Sequence, residues 1–253
     1  MKKIDKIIIT GQFLRGNTLG IYWQYYLFKY MLEEVTGLPV YYTTIEDSEI
    51  NEKEAIYFDT SKFYKFYNIP FEKTYTGEKK WLASWAKIYY QTEYNQKAYE
   101  YVNSIFKNSI VISHELEDCL SKMLEYYGIP HIDNNLDPIR FLDDIMFCFK
   151  TKHKNVYKKL LKYRVPEEIL YLNANYRKSV YSIQNPCVTQ ENNVLFLGQT
   201  VCDKTLIDNG KIYSILEHKK EFENAIKDYD RVFYKRHPYA SDDEDVLKYL
   251  KSF

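Results

Sequence analysis

Three loops carry residue types that could perform group transfer. The first is Gly11-Gln12-Phe13-Leu14-Arg15-Gly16-Asn17-Thr18-Leu19-Gly20, between an apolar run and a helical pattern. Its glycines let backbone approach a ligand, Thr18 is placed to cap the next helix, and a helix N-terminus attracts anions. Arg15 is the candidate partner of a carboxylate or phosphate. The run is neither GxGxxG nor a phosphate loop, and an ordinary βα turn explains the same glycines. The second loop is Ser113-His114-Glu115-Leu116-Glu117-Asp118, just after a buried strand. Its carboxylates either match the dipole of the following helix or supply a general acid or base. Glu115, at the strand end, is the first candidate, with Glu117 and Asp118 behind it and His114 as a cleft residue.

The third place joins two segments, Gly198-Gln199-Thr200-Val201-Cys202-Asp203 and Tyr234-Lys235-Arg236-His237-Pro238-Tyr239. Both follow strands of one unit, so both loops belong on one sheet edge, where ligands of open α/β sheets bind. His237 is flanked by Lys235 and Arg236, and Pro238 fixes the chain direction after it. An imidazole there can donate to a phosphate oxygen, although a lone histidine is more often structural. Metal spacing is weak: Asp228-Tyr229-Asp230 precedes its strand, and His131, His153 and His218 form no HxxxH pattern. No serine sits in GxSxG, which leaves hydrolase chemistry without support.

The elements that position these loops alternate. Strand runs are expected at 4–10, 39–43, 55–58, 109–113, 194–197 and 231–234. Helices are expected at 19–35, with Trp23, Tyr26, Leu27, Tyr30 and Met31 at helical spacing, and at 81–106, 116–127, 139–148, 156–161, 212–226 and 245–250. In the helix after the second loop, Leu116, Leu120, Met123, Leu124 and Tyr127 mark the buried face. Gly37 and Gly128 close helices, and the acids from Asp242 to Asp245 cap the last one. This order predicts a layered α/β fold with a mostly parallel sheet. Residues 1–185 form a first α/β lobe and 186–253 a second lobe. With two clear strands, the second is short of a complete doubly wound unit.

The chain has 253 residues, 35 basic and 35 acidic, and 27 tyrosines. Zero net charge argues against a nucleic-acid coat, and no run is long enough for a membrane-spanning helix. Asp5 and Lys6 interrupt any signal-like start, so the N-terminus reads as a first strand. The four cysteines, Cys119, Cys148, Cys187 and Cys202, have no metal spacing and read as reduced thiols of a cytoplasmic protein. One stretch departs from neutrality: from Lys150 to Lys178 there are nine basic residues and two acidic ones, Glu167 and Glu168. It is either a solvated face or a surface that meets an anionic glycolipid, a phosphate or the inner membrane leaflet.

The GQT-x-x-D-x-x-L-I run from Gly198 to Ile207, followed by a helix, a strand and KRHP, resembles the nucleotide lobe of bacterial glycosyltransferases that use CMP-activated acidic sugars. The β-Kdo transferases of capsule and lipopolysaccharide synthesis are most similar, and bacterial sialyltransferases more distant. The resemblance spans residues 194–239 and, more weakly, 113–118. The sialyltransferase version of the first-lobe motif is two acids followed by Gly, where this chain has Glu117, Asp118 and Cys119. The resemblance implies a two-lobed GT-B fold, its second lobe here incomplete. Asp203 would be the nucleophile at the anomeric carbon, His237 would contact the CMP phosphate, and Glu115 would assist the acceptor hydroxyl. Gln199, Thr200, Lys235, Arg236, Pro238 and Arg15 would line the donor site.

The implied activity is retaining transfer of Kdo from CMP-Kdo to a glycan or glycolipid in surface polysaccharide synthesis. The enzyme is expected to be cytoplasmic, and the Lys150–Lys178 surface, where it is not merely solvated, would hold it at the periphery of the inner membrane. Departure of CMP leaves an oxocarbenium-like centre that a carboxylate can trap. A single phosphate can be met by His, Lys, Arg and backbone N–H groups, so no metal or other cofactor is expected. Two alternatives stand beside it: an inverting sialyltransferase with Glu117 or Asp118 as base, and a non-catalytic glycan- or nucleotide-binding module.

Overall fold

The computed structural model describes residues 3–16, 19–45, 53–71, 80–139, 141–184, 192–200, 202–238, 240 and 243–252. Asn17 and the expected Thr18 cap, Cys187, Val201, Tyr239 and Asp242 lie outside the described residues. The first part of the chain runs β1 (Lys6–Gly11), α1 (Leu19–Thr36), β2 (Val40–Thr44), β3 (Ala55–Tyr57), α2 (Thr60–Phe66), α3 (Lys80–Tyr89), α4 (Gln96–Phe106), β4 (Ser109–His114), α5 (Asp118–Tyr126), β5 (His131–Leu136) and β6 (Phe147–Lys150). It continues through α6 (Lys154–Leu160) and α7 (Glu167–Gln184) to β7 (Asn193–Leu197), β8 (Ile207–Asp208), β9 (Lys211–Ile212), α8 (Lys219–Ile226), β10 (Arg231–Lys235) and α9 (Glu244–Leu250).

The main sheet has the order β3-β2-β1-β4-β5-β6, parallel except for β6. Isoleucines 7, 8 and 9 of β1 are all buried, as a central parallel strand covered on both faces requires. From the β1–β4 seam the chain winds outward in opposite directions, and crossovers of one hand then place α1 and α5 on opposite faces. The expected α/β class with a mostly parallel sheet is therefore observed. The second part forms a separate sheet, with β7 and β10 parallel, and an antiparallel β8–β9 hairpin that packs on α3.

Several expected elements differ. The helix expected at 81–106 is two helices, α3 and α4. Asn95 accepts the Ala98 N–H at 3.2 Å and Gln91 the Glu93 N–H at 2.9 Å, so side chains between them compete with helical bonding. The helix expected at 139–148 is absent. Asp137 Oδ1 accepts the Ile139 N–H at 2.8 Å in a turn, and the aromatic run at Phe147 pairs with β5 as β6. The helix expected from 212 begins only at Lys219. Asn209 and Gly210, with φ of 46° and 78°, form the two-residue turn of a tight hairpin instead. In α5, Leu120, Met123 and Leu124 are buried as their spacing implies. In α1 the buried face is Ile21, Gln24 and Tyr25, while Tyr26, Leu27, Tyr30 and Met31 are exposed.

Candidate functional site

The two directions of winding meet at β1 and β4, whose last residues, Gly11 and His114, are register partners. A strand-order reversal opens a crevice beyond the carboxyl ends of the strands. Residues 12–15 and 115–118 leave the sheet there. Phe13 and Leu14 turn into the core and anchor the first loop. The Leu14 carbonyl accepts the Tyr64 hydroxyl at 2.7 Å, and the Leu14 N–H donates to Glu117 Oε1 at 3.0 Å.

Glu115 has φ of 55°, in the left-handed region. The other described non-glycine residues with positive φ are Asn68, Asn108 and Asn209, the residue type that tolerates this conformation in turns. A glutamate held there stores on the order of 1 kcal/mol of strain, and such strain concentrates at functional sites. Its surroundings explain how it persists. The Glu115 N–H donates to the Asn134 carbonyl at 3.0 Å, Oε2 accepts from Gln12 Nε2, and Oε1 lies 3.3 Å from Lys204 Nζ. Lys204 also donates to Asn135 Oδ1 at 2.8 Å. Beneath it, Asp133 Oδ1 accepts the Leu116 N–H at 2.9 Å and the Ser113 hydroxyl at 2.8 Å. Burial pushes the Asp133 carboxyl above its ordinary value.

Glu117 is fully buried, and burial pushes its carboxyl up to about 8 against the opposing pull of backbone N–H groups and Arg15. It is therefore mainly protonated at neutral pH, and it positions the first loop through Leu14. Asp118 lies at the start of α5, with Oδ1 3.9 Å from Lys150, and lines a small polar cavity with Ser121, Glu125 and His131. His114 sits edge-on to Trp23, with Nδ1 3.2 Å from the Asn134 carbonyl.

The second part reaches this crevice through the loop after β7. Arg15 Nη1 donates to the Cys202 carbonyl at 3.2 Å, and the guanidinium lies 5.9 Å from the centre of the Trp85 ring. Arg15 and Glu115 thus stand beside the loop that carries Asp203. The Asp203 side chain, however, caps its own turn: Oδ1 accepts from Thr205 N at 2.8 Å and from Thr205 Oγ1 at 2.7 Å. β7 and β10 are in register from Asn193 and Arg231 to Leu197 and Lys235, so the two candidate segments leave one sheet edge side by side. Gly198 donates to the Lys235 carbonyl at 2.9 Å, Gln199 Oε1 accepts the Thr200 N–H at 2.9 Å, and the His237 carbonyl accepts from Ala240. Lys235 and Pro238 are exposed. Arg236 is turned to Asp243 at 2.7 Å, and the Tyr234 hydroxyl donates to the same carboxylate at 2.8 Å.

Beside Gly198 a cavity of about 400 Å³ opens, walled by Phe196, Gln199, Tyr213, His218, Phe222 and Tyr234. The Tyr213 and His218 rings stack at 4.2 Å and 12°. Gln199 lines this cavity; Asp203 and His237 do not. Among the described residues no group of three or more His, Cys, Asp or Glu converges as a metal would need. Sequence reasoning passed over Gln12, Lys204 and the Tyr213–His218 stack. Gln12 and Lys204 each adjoin a motif residue, and that adjacency was the only signal. Comparison with known proteins finds no matching family model, no similar curated protein and no similar solved structure.

Proposed function

We propose that the chain is a glycosyltransferase of GT-B-like build that moves an acidic 2-keto sugar, Kdo in the leading reading, from a CMP donor to a glycan or glycolipid. The observation that carries this is Glu115. It is a strained carboxylate at the strand-order reversal, held between Gln12 and a lysine delivered by the GQT-x-x-D loop. In this reading Glu115 takes the acceptor hydroxyl proton, and Lys204, 3.3 Å away, fixes the direction of its carboxylate. The aromatic cavity beside Gln199 holds the cytidine, and His237 with Lys235 meets the phosphate. Glu117 is a positioning residue, because its carboxyl is closed off from any acceptor.

Retention needs Asp203 as nucleophile, and for that its carboxylate must leave Thr205. The inverting alternative is favoured by that same pair of Thr205 hydrogen bonds, since inversion needs only a first-lobe base. Glu115 replaces Glu117 and Asp118 as that base, because Glu117 is buried and Asp118 lines the separate cavity on α5.

The test is turnover of CMP-Kdo and CMP-sialic acid with the anomeric configuration of the product read by NMR. Glu115→Gln is expected to lower kcat at least ~100-fold on the true donor. A sugar adduct on Asp203 by mass spectrometry, lost in Asp203→Asn, selects retention; full activity of Asp203→Asn selects inversion. CMP binding without turnover makes the chain a binding module, and no CMP binding at millimolar concentration overturns the proposal.

A further inference from the structure

From Asn135 to Ile183 no described residue is buried. This segment, β6 through α7, also carries the basic surplus. Lys150, Lys152, Arg164 and Arg177 are paired with Asp118, Glu125, Glu167 and Asp143. Lys154, Lys158, Lys159 and Lys162, on α6 and the turn after it, have no acid within ion-pair distance among the described residues. Large apolar side chains of the same segment face solvent: Tyr163, next to Lys162, is 86% exposed, Leu172 66% and Ile183 82%. A groove of about 420 Å³ runs between β6 and α6–α7, lined by Met146, Phe147, Phe149, Leu160, Leu161 and Leu170.

A solvated face has no use for this much aromatic and aliphatic surface. Two copies of the chain meeting here would bring one cationic patch against another, which opposes a two-fold contact. No helix among the described residues is long and apolar enough to cross a bilayer. We infer that the α6–α7 face is a docking surface for an anionic lipid bilayer. Lys154, Lys158, Lys159 and Lys162 meet the headgroup phosphates, and Tyr163 and Leu172 sit at the boundary with the acyl chains. Exposed aromatics and lysines of this pattern suit that interface, where apolar bodies are buried and charged tips stay wet. The inference rests on charge and exposure and is independent of the donor sugar.

The test is sedimentation of the full chain with vesicles of phosphatidylcholine alone and of phosphatidylcholine mixed with phosphatidylglycerol. Binding is expected to the mixed vesicles only and to weaken with added salt. Lys158→Glu/Lys159→Glu/Lys162→Glu should lower partitioning by at least about 100-fold, since each lysine at an anionic leaflet contributes about five-fold. Tyr163→Ser/Leu172→Ser should lower it while leaving the salt dependence in place. All these positions are exposed, and an unchanged far-UV circular dichroism spectrum verifies the fold. Equal binding to both vesicle types, no binding to either, or unchanged binding of the triple variant overturns the inference. So does a dimer in sedimentation equilibrium that Tyr163→Ser/Leu172→Ser dissociates.

Discussion

Lys204 Nζ lies 3.3 Å from Glu115 Oε1, so one ion pair joins the crevice of the six-stranded sheet to the loop following β7. Both side chains are partly exposed, which limits the pair to at most about 1 kcal/mol of stability. Its importance is positional: it aims a carboxylate whose backbone is itself under strain.

That strain yields a comparison of two substitutions. Glu115→Ala loses the contacts with Gln12 and Lys204 but keeps a side chain at φ 55°. Glu115→Gly loses the same contacts and releases the strain. Urea unfolding should find the glycine variant about 1 kcal/mol more stable than the alanine variant. Equal stability would mean that the left-handed conformation costs nothing here.

Glu117 should leave a signature in the pH dependence of stability. Its carboxyl is pushed up to about 8 from an ordinary value of 4.5, chiefly by burial. The folded state therefore binds the proton more tightly than the unfolded chain. The stability this gives is present in full below about pH 4.5 and is lost as pH rises to about 8, at up to ~1.4 kcal/mol per unit. Glu117→Gln keeps an oxygen for the Leu14 N–H and has no proton to lose. Denaturation from pH 5 to 9 should show the parent falling relative to this variant; parallel curves would refute the raised value.

Gly198 is required by packing. A Cβ there would lie 2.8 Å from the Cζ and Cε2 atoms of Tyr234, whose hydroxyl is tied to Asp243. Gly198→Ala should destabilise the β7–β10 unit by ~1–3 kcal/mol, as overpacking does, and Tyr234→Val in the same chain should recover part of the loss. Thermal unfolding of the two variants measures both effects.

Gln24 and Asn134, both fully buried, exchange two hydrogen bonds of 2.6 and 2.9 Å between α1 and β5. Gln24→Leu leaves the Asn134 amide without that partner and should cost about 1–3 kcal/mol. Replacing both by leucine should cost less than the two single changes together, and a double-mutant cycle reads the coupling.

The parallel core was legible because Ile7, Ile8 and Ile9, and the run at Val111, are continuous apolar segments bounded by turns. β5 was not, because His-Ile-Asp-Asn-Asn-Leu conceals a strand whose buried amide is satisfied by a residue 110 positions away. The β8–β9 hairpin was legible in principle, since Asn209-Gly210 is the strongest short turn signal, but the apolar spacing around it also fits a helix. At the crevice, strand-end position was enough to place Glu115 and Arg15 beside the loop following β7. The orientation of Asp203 was not readable, because the Thr205 hydroxyl that claims it competes locally with any ligand.

The β7–β10 ribbon has α8 and α9 against one face through Phe196, Phe222 and Tyr249, while Leu197, 63% exposed, and Leu195 and Phe233 look outward. Two parallel strands covered on one side are a poor cooperative unit. Its amide protons should therefore trade with deuterated solvent through small local openings, well ahead of those in β1 and β4, which are released only when the whole domain unravels. Any molecule that clamps the two parts together would show itself first as slowed exchange in this ribbon, before any change of shape.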